Sequence, residues 1–363
     1  MKTKMKKEKK KWIAPNVRMT EALRARVAAL GPGDALGTEV ALAGEFGVSR
    51  MTARKAVETL VSEGVLERRA GIGVFVRDAA SDPRRFRFLA GNLLWDSVIR
   101  VATAFRQEAG AAGFEVEMHD AGGSADKLKD ELAALPGSGA SGAVVFSIHD
   151  PALTAAVADI VATGFPLVVI DEAFDPKTNV PGVVSDNALG GRLAAERLIH
   201  AGHRELAFIG DWVADTVRAR WAGFRQIAEA HGLRPVRLEI RADDRLGDWT
   251  HIIHEATRRL LRRKLRPTGI FCSCDAVARH VMRALEAHGV EVPRDVSLVG
   301  FDDDPIAEWT KPALTTVRQD FAALGTAAAR ALVSRCADRN ALVGTVTVPV
   351  SLVVRDTVGR AAS

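Results

Sequence analysis

From residue 86 onward, short apolar runs alternate with amphipathic stretches, a pattern that few folds accommodate. FRFLAGNLL (86–94), FEVEMHD (114–120), GAVVFSI (142–148), PLVVID (166–171), ELAFIG (205–210), GIFCS (269–273) and VSLVGF (296–301) read as strands. Segments with helical spacing, such as 97–112 and 125–135, follow most of them. Strands linked through helices pair in parallel, and the helices cover both faces of the sheet. Such sheets bind ligands beyond the carboxyl ends of their strands. Asp96, Asp171, Asp275 and Asp302 are expected there.

The first 77 residues read differently. VRMTEALRARVAAL (17–30) places Leu23, Val27 and Leu30 on one helical stripe, and Gly31-Pro32-Gly33 stops it. A short helix is predicted from Thr38 to Phe46, ended by Gly47. Ser49 is a good N-cap for a helix over 50–63 that buries Ala53, Val57 and Leu60. Arg50 and Arg54 share another face of that helix, with Thr52 and Lys55 nearby. Two short helices across a glycine turn form a helix-turn-helix, whose second helix enters the major groove. An arginine fork there can bond guanine O6 and N7 together. Strands at 65–69 and 74–76, joined by Gly71-Ile72-Gly73, add a β-hairpin wing carrying Arg68 and Arg69.

Charge is placed unevenly. Residues 1–77 hold 16 Lys+Arg against 8 Asp+Glu, whereas 78–363 hold 34 against 37. A basic head on a nearly neutral body suits nucleic-acid binding. The lysine-rich tail over 1–16 reads as disordered and solvated, so the assignment rests on the helices after it. Residues 78–85 (DAASDPRR) read as a linker.

Residues 17–77 resemble the GntR-type winged helix-turn-helix regulators, through FGVSRMT, EGVLERR and the GxGxFV wing. The resemblance implies a homodimer on double-stranded operator DNA. It also implies contacts from Ser49, Arg50, Thr52, Arg54 and the wing near Gly71 and Gly73. With the residue reading, Thr38, Lys55, Arg68 and Arg69 complete the candidate DNA-binding set. Val40 stands where that family usually has an arginine, and Ile72 replaces a common polar wing-tip residue, so operator preference is expected to differ.

Residues 86–363 resemble the LacI/GalR-type regulators and periplasmic sugar-binding proteins. The likeness is carried by VVSDNALGGRLAAERLIHAGHRELAFIG (183–210), RARWAGF (218–224), GIFCSCDAVARHVMRAL (269–285) and the stretch from Val296 to Leu332. The combined chain is similar to the arabinose-responsive repressors of bacteria. The fold class that follows is α/β: an α+β winged head plus a two-lobed periplasmic-binding-protein-like domain with three crossover strands. The resemblance puts lobe one at about 86–182 and 320–345, and lobe two at about 184–317 and 346–363. Crossovers are expected near Gly182, Thr316–Arg318 and Thr345. It implies a small-molecule effector, a sugar, in the cleft. Asp171, Arg220 and Asp302 match positions that bond sugar hydroxyls, and Gln319 and Phe321 match cleft-lining positions. Trp95 and Trp212 are candidate stacking surfaces. Asp186 or Asn187 is expected to cap helix 188–200 rather than touch ligand. Cys274 stands where the family usually has a ligand-bonding asparagine. A thiol is a poor donor and acceptor, so Asp275 is a candidate to compensate.

Other classes fit less well. Cys272 and Cys274 have no second Cys/His pair at zinc spacing, and no P-loop, HExxH or GxSxG arrangement occurs. No enzyme, metal site or cofactor is expected. Three cysteines cannot build a disulfide framework, and no apolar run reaches the ~18 residues of a membrane span. The lysine tail is followed by no signal-peptide core, so a cytoplasmic protein is expected. A transport protein would lack the head. A sensor domain that only dimerises or binds protein remains the rival, and would bind no small molecule.

Overall fold

Pro15 opens the first helix, where its missing N–H costs nothing and its fixed φ is already helical. The computed structural model describes residues 14–69, 71–77, 84–146, 150–172, 174, 180–212, 214–240, 249–338 and 344–361. The chain divides into two compact units, Met1–Arg84 and Arg85–Ser363.

In the first unit, α1 (Pro15–Val27) precedes β1 (Ala35–Gly37), α2 (Glu39–Glu45), α3 (Arg50–Ser62), β2 (Leu66–Arg69) and β3 (Gly73–Val76). The expected tail over 1–16 is shortened at its end, because Pro15 and Asn16 are helical; residues 1–13 lie outside the described residues. Leu23, Leu42, Val57 and Leu60 meet in one buried core. The strands form an antiparallel sheet in the order β1-β3-β2. β1 was not foreseen; three residues between glycines carry too little periodicity to announce a strand. Gly73 makes the sheet possible, since a Cβ there would meet the Gly37 carbonyl oxygen at 2.9 Å.

The second unit begins with β4 (Arg85–Ala90), α4 (Asp96–Ala111), β5 (Glu115–Asp120), α5 (Ala125–Ala133), β6 (Gly142–Phe146), α6 (Pro151–Ala162), β7 (Leu167–Ile170) and β8 (Gly182–Ser185). It continues with α7 (Asn187–His200), β9 (Leu206–Asp211), α8 (Asp215–Ala230), β10 (Val236–Ile240), α9 (Trp249–Leu261), β11 (Gly269–Cys272), α10 (Asp275–Ala287) and β12 (Ser297–Asp302). Last come α11 (Ile306–Trp309), β13 (Thr316–Arg318), α12 (Phe321–Ala337), β14 (Val346–Val348) and β15 (Ser351–Val353). Arg85, placed in the linker by sequence, starts β4; residues 78–83 lie outside the described residues.

Two six-stranded sheets result. The first, in the order β14-β8-β7-β6-β4-β5, is parallel throughout. The second, β10-β9-β11-β12-β13-β15, is parallel except for its last pair. Their order corrects the third expected crossover. Val346 pairs with Val183, so β14 belongs to the first sheet and the chain crosses at 349–350, not Thr345. Pro349 has no N–H to donate to a ladder, which ends β14 there. The other crossings fall after β8, at Asp186, and between β13 and α12, at 319–320. Phe86, Phe88, Phe105 and Phe114 fill the core under the first sheet. Phe208, Phe224, Phe271 and Phe301 fill one under the second.

Candidate functional site

In the head, side-chain caps set the helix starts. Thr38 Oγ1 accepts from the Ala41 N–H at 3.1 Å, and Ser49 Oγ from the Thr52 N–H at 3.1 Å. Such caps contribute about 1 kcal/mol each. Ser49 also bonds the Thr52 hydroxyl at 2.8 Å. Arg50 and Lys55 are exposed on α3, and neither side chain is tied by a hydrogen bond or ion pair among the described residues. Arg54 donates from Nε to Glu58 at 2.9 Å. That bond holds the Glu58 carboxyl below its usual range.

The wing arginines are engaged within the head. Arg68 pairs with Glu39 at 2.8 Å and reaches Glu58 at 3.6 Å, tying the hairpin base to α2 and α3. Arg69 donates to Glu67 at 2.7 Å and lies over the Phe75 ring at 4.3 Å. Both are candidates to face DNA, and carboxylates beside them on the same sheet and helices pair with them. Gly71 turns the hairpin at φ 72°, and Gly73 serves the strand contact described above. Ile72 at the tip is 67% exposed and Met51 on α3 is 71% exposed, so both apolar side chains stand in solvent.

In the second unit, Arg220 on α8 is buried between α7, β11 and β12. Two glycines bring the helices together: a Cβ on Gly191 would meet the Arg220 carbonyl oxygen, and one on Gly223 the Ala188 carbonyl oxygen. Arg220 Nε donates to Asn187 Oδ1 at 2.8 Å, and Nη1 donates to the Ser273 carbonyl. Its guanidinium lies 3.6 Å from the Phe301 ring centre and 3.8 Å from Asp302 Oδ1. Sequence reasoning missed Asn187 as the residue that orients Arg220. Asp186, not Asn187, caps α7, accepting from the Leu189 N–H at 2.8 Å. Residue 187 was therefore free to turn inward.

Asp302 ends β12 with φ 112°, a backbone geometry rare for a residue other than glycine. Its Oδ1 accepts from Gln319 Nε2 at 2.7 Å. Burial, opposed by Arg220 and reinforced by Asp304 and Asp171, pushes its carboxyl up to about 7. Asp171 follows β7 with φ 68°, and its charge, from the first lobe, adds to the shift of the second-lobe Asp302. Cys274 sits beside the same group; burial and the Asp302 charge push its thiol up to about 12, which keeps it protonated.

The remaining candidates divide. Trp95 is 50% exposed at the start of α4, and Asp96 pairs with Arg100 at 3.5 Å. Trp212 follows β9 with Arg237 stacked 4.1 Å from its ring centre, so one face is already covered. Two candidates are engaged within the protein. Asp275 is fully buried: Oδ1 accepts from Thr316 Oγ1 at 2.6 Å and Oδ2 from the Asp304 N–H at 2.9 Å, fixing a crossover strand instead of a ligand. Phe321 is 2% exposed in the first core, with Arg100 over its ring at 4.8 Å. Both stand first in their helices and turn inward. Among the described residues no cluster of three or more His, Cys, Asp or Glu could hold a metal, and no helix is long and apolar enough to cross a membrane.

Comparison with known proteins agrees with both halves. Residues 16–76 match bacterial regulatory proteins of the gntR family, and residues 195–358 match a periplasmic binding protein-like domain. The chain is 30% identical over 240 residues to the ribose operon repressor of Haemophilus influenzae, covering 65% of this chain and 70% of that one. It is 35% identical over 177 residues to the repressor PurR of Klebsiella pneumoniae, covering 48% of this chain and half of that protein. A solved transcriptional regulator of the LacI family from Burkhoderia phymatum superposes with a TM-score of 0.63 at 27% identity, over 76% of this chain and 100% of that one. The chain belongs to the LacI/GalR-type family of repressors, and its head is of the GntR type.

Proposed function

We propose that this protein is a cytoplasmic, homodimeric transcriptional repressor whose operator affinity is set by a sugar held between its two lobes. The observation that carries the reading is the Arg220–Asp302–Gln319 arrangement at the strand ends, where the charge of Asp171, from the other lobe, also acts on Asp302. Repulsion between Asp171 and Asp302 opposes closure of the empty cleft. Hydroxyl donors placed between them remove that opposition, so ligand favours the closed state. A ligand shifts such an equilibrium only by its difference in affinity for the two states. In the head, Arg50 and Arg54 read bases, and the lysine-rich tail adds salt-dependent phosphate contacts. Release of operator by the effector is the expected sign.

The test is fluorescence anisotropy of the full chain on an operator selected from random duplexes, after a thermal-shift screen of pentoses, hexoses, sugar phosphates and purines. Pentoses come first, because the chain is similar to ribose operon repressors. A compound that raises Tm and releases operator supports the reading. If no compound does either, the second unit is a dimerisation or protein-binding module and the sensor reading fails.

A further inference from the structure

We infer that the effector is rich in hydrogen-bond donors and carries no negative charge: a neutral sugar or polyol, or an amino sugar, rather than a sugar phosphate or sugar acid. This deepens the sensor reading and rests on it. The Gln319 side chain carries the argument. It is 4% exposed, its Nε2 donates to Asp302, and its Oε1 is buried with no hydrogen-bond partner among the described residues. With Asp302 ionised, the form that accepts from ligand hydroxyls, the amide cannot be reversed without setting its oxygen against the carboxylate. The orphaned atom is therefore an acceptor, and it calls for a donor from outside the chain.

The surrounding charge points the same way. The Asp304 and Asp171 charges both raise the Asp302 carboxyl, and the Asp96 and Asp303 charges raise that of Asp304. Two guanidiniums face them. Arg220 already spends Nε and Nη1 on Asn187 and Ser273, and Arg100 is paired with Asp96. Nearby Arg318 and Arg355 are both taken by Asp303, at 2.6 and 2.7 Å. Anion sites need several free, convergent cationic or N–H donors. Here acceptors outnumber them. Cys274, a protonated thiol where a stronger hydrogen-bonding side chain could stand, adds no anion-binding donor.

The deciding experiment is calorimetric titration of the full chain with matched compounds. D-ribose, D-glucose and D-galactose are set against ribose 5-phosphate, glucose 6-phosphate and galacturonate, with L-arabinose, D-xylose and glucosamine added. The expected result is binding by at least one neutral or amino sugar. Its anionic counterpart should bind at least about 100-fold more weakly, as expected for like charges brought within ~4 Å in a partly buried site. Asp171→Asn should narrow that gap. A phosphate or acid that binds as tightly as its neutral partner overturns this inference and leaves the sensor reading intact. Silence from the whole panel overturns both.

Discussion

The arginines of the head and the arginine of the cleft are held in opposite ways. Arg54, Arg68 and Arg69 sit at the surface in pairs with Glu58, Glu39 and Glu67. Exposed pairs of this kind contribute about 0–1 kcal/mol and can be exchanged. Arg220 is buried, and its neighbours fix it from three sides. A surface that must exchange its own carboxylates for phosphates keeps its cations loosely paired. A pocket that must distinguish hydroxyl patterns keeps its cation rigid.

The largest effect expected from this contrast is at Arg220. Arg220→Ala should destabilise the second unit by about 3–5 kcal/mol, as breaking a buried pair does, and abolish the effector response. Denaturant unfolding of the variant checks it. Loss of less than about 1 kcal/mol would place Arg220 with the exchangeable surface arginines. Arg50→Ala should cost about 1–3 kcal/mol at a selected operator and much less on random duplex, because a base contact is lost rather than a phosphate contact. Equal losses on both duplexes would make Arg50 a backbone contact.

Third in size is a pH effect confined to the cleft. The Asp302 carboxyl is raised to about 7 by burial, with Asp304 and Asp171 adding to the shift and Arg220 opposing it. Because the folded protein holds that proton more tightly than the unfolded chain, Asp302 contributes stability that falls as pH rises from about 4 to 7. Ligand hydroxyls need the ionised form as acceptor. Effector affinity should therefore strengthen about tenfold between pH 6 and pH 8. Titrations across that range check it, and Asp302→Asn should flatten the profile. A flat profile in the wild type would mean that the ligand bonds elsewhere.

The same contrast explains what the sequence could reveal. The alternation from residue 86 gave away the parallel sheets, and the FGVSRMT core the helix-turn-helix, because periodicity and caps are local. Arg220 was singled out by resemblance, from its place before WAGF, but its bonds to Asn187 and Ser273 were not legible there. The partners of Asp275 and Phe321 were not legible, because position at a strand or helix end does not say which way a side chain turns. Asp275 turns in because Thr316 and the Asp304 amide, 41 and 29 residues away, meet it there. Asn187 was missed for the same reason: its partner is 33 residues distant. The ion pair of Arg68 with Glu39 likewise joins two elements whose spacing gives no sign of contact.

The smallest expected effect tests whether the head's order is local. Ser49→Ala removes the side-chain acceptor for the Thr52 N–H and the bond to the Thr52 hydroxyl. It should cost about 1 kcal/mol of head stability, read as a lowered thermal midpoint of the head transition. The start of α3 carries Arg50, so fraying there should also weaken operator binding, by no more than the stability lost. A larger binding loss with the same stability loss would mean that Ser49 touches the DNA itself. That outcome would move the residue from holding the recognition helix to reading the operator, and would make the head's polar surface less exchangeable than its loose ion pairs suggest.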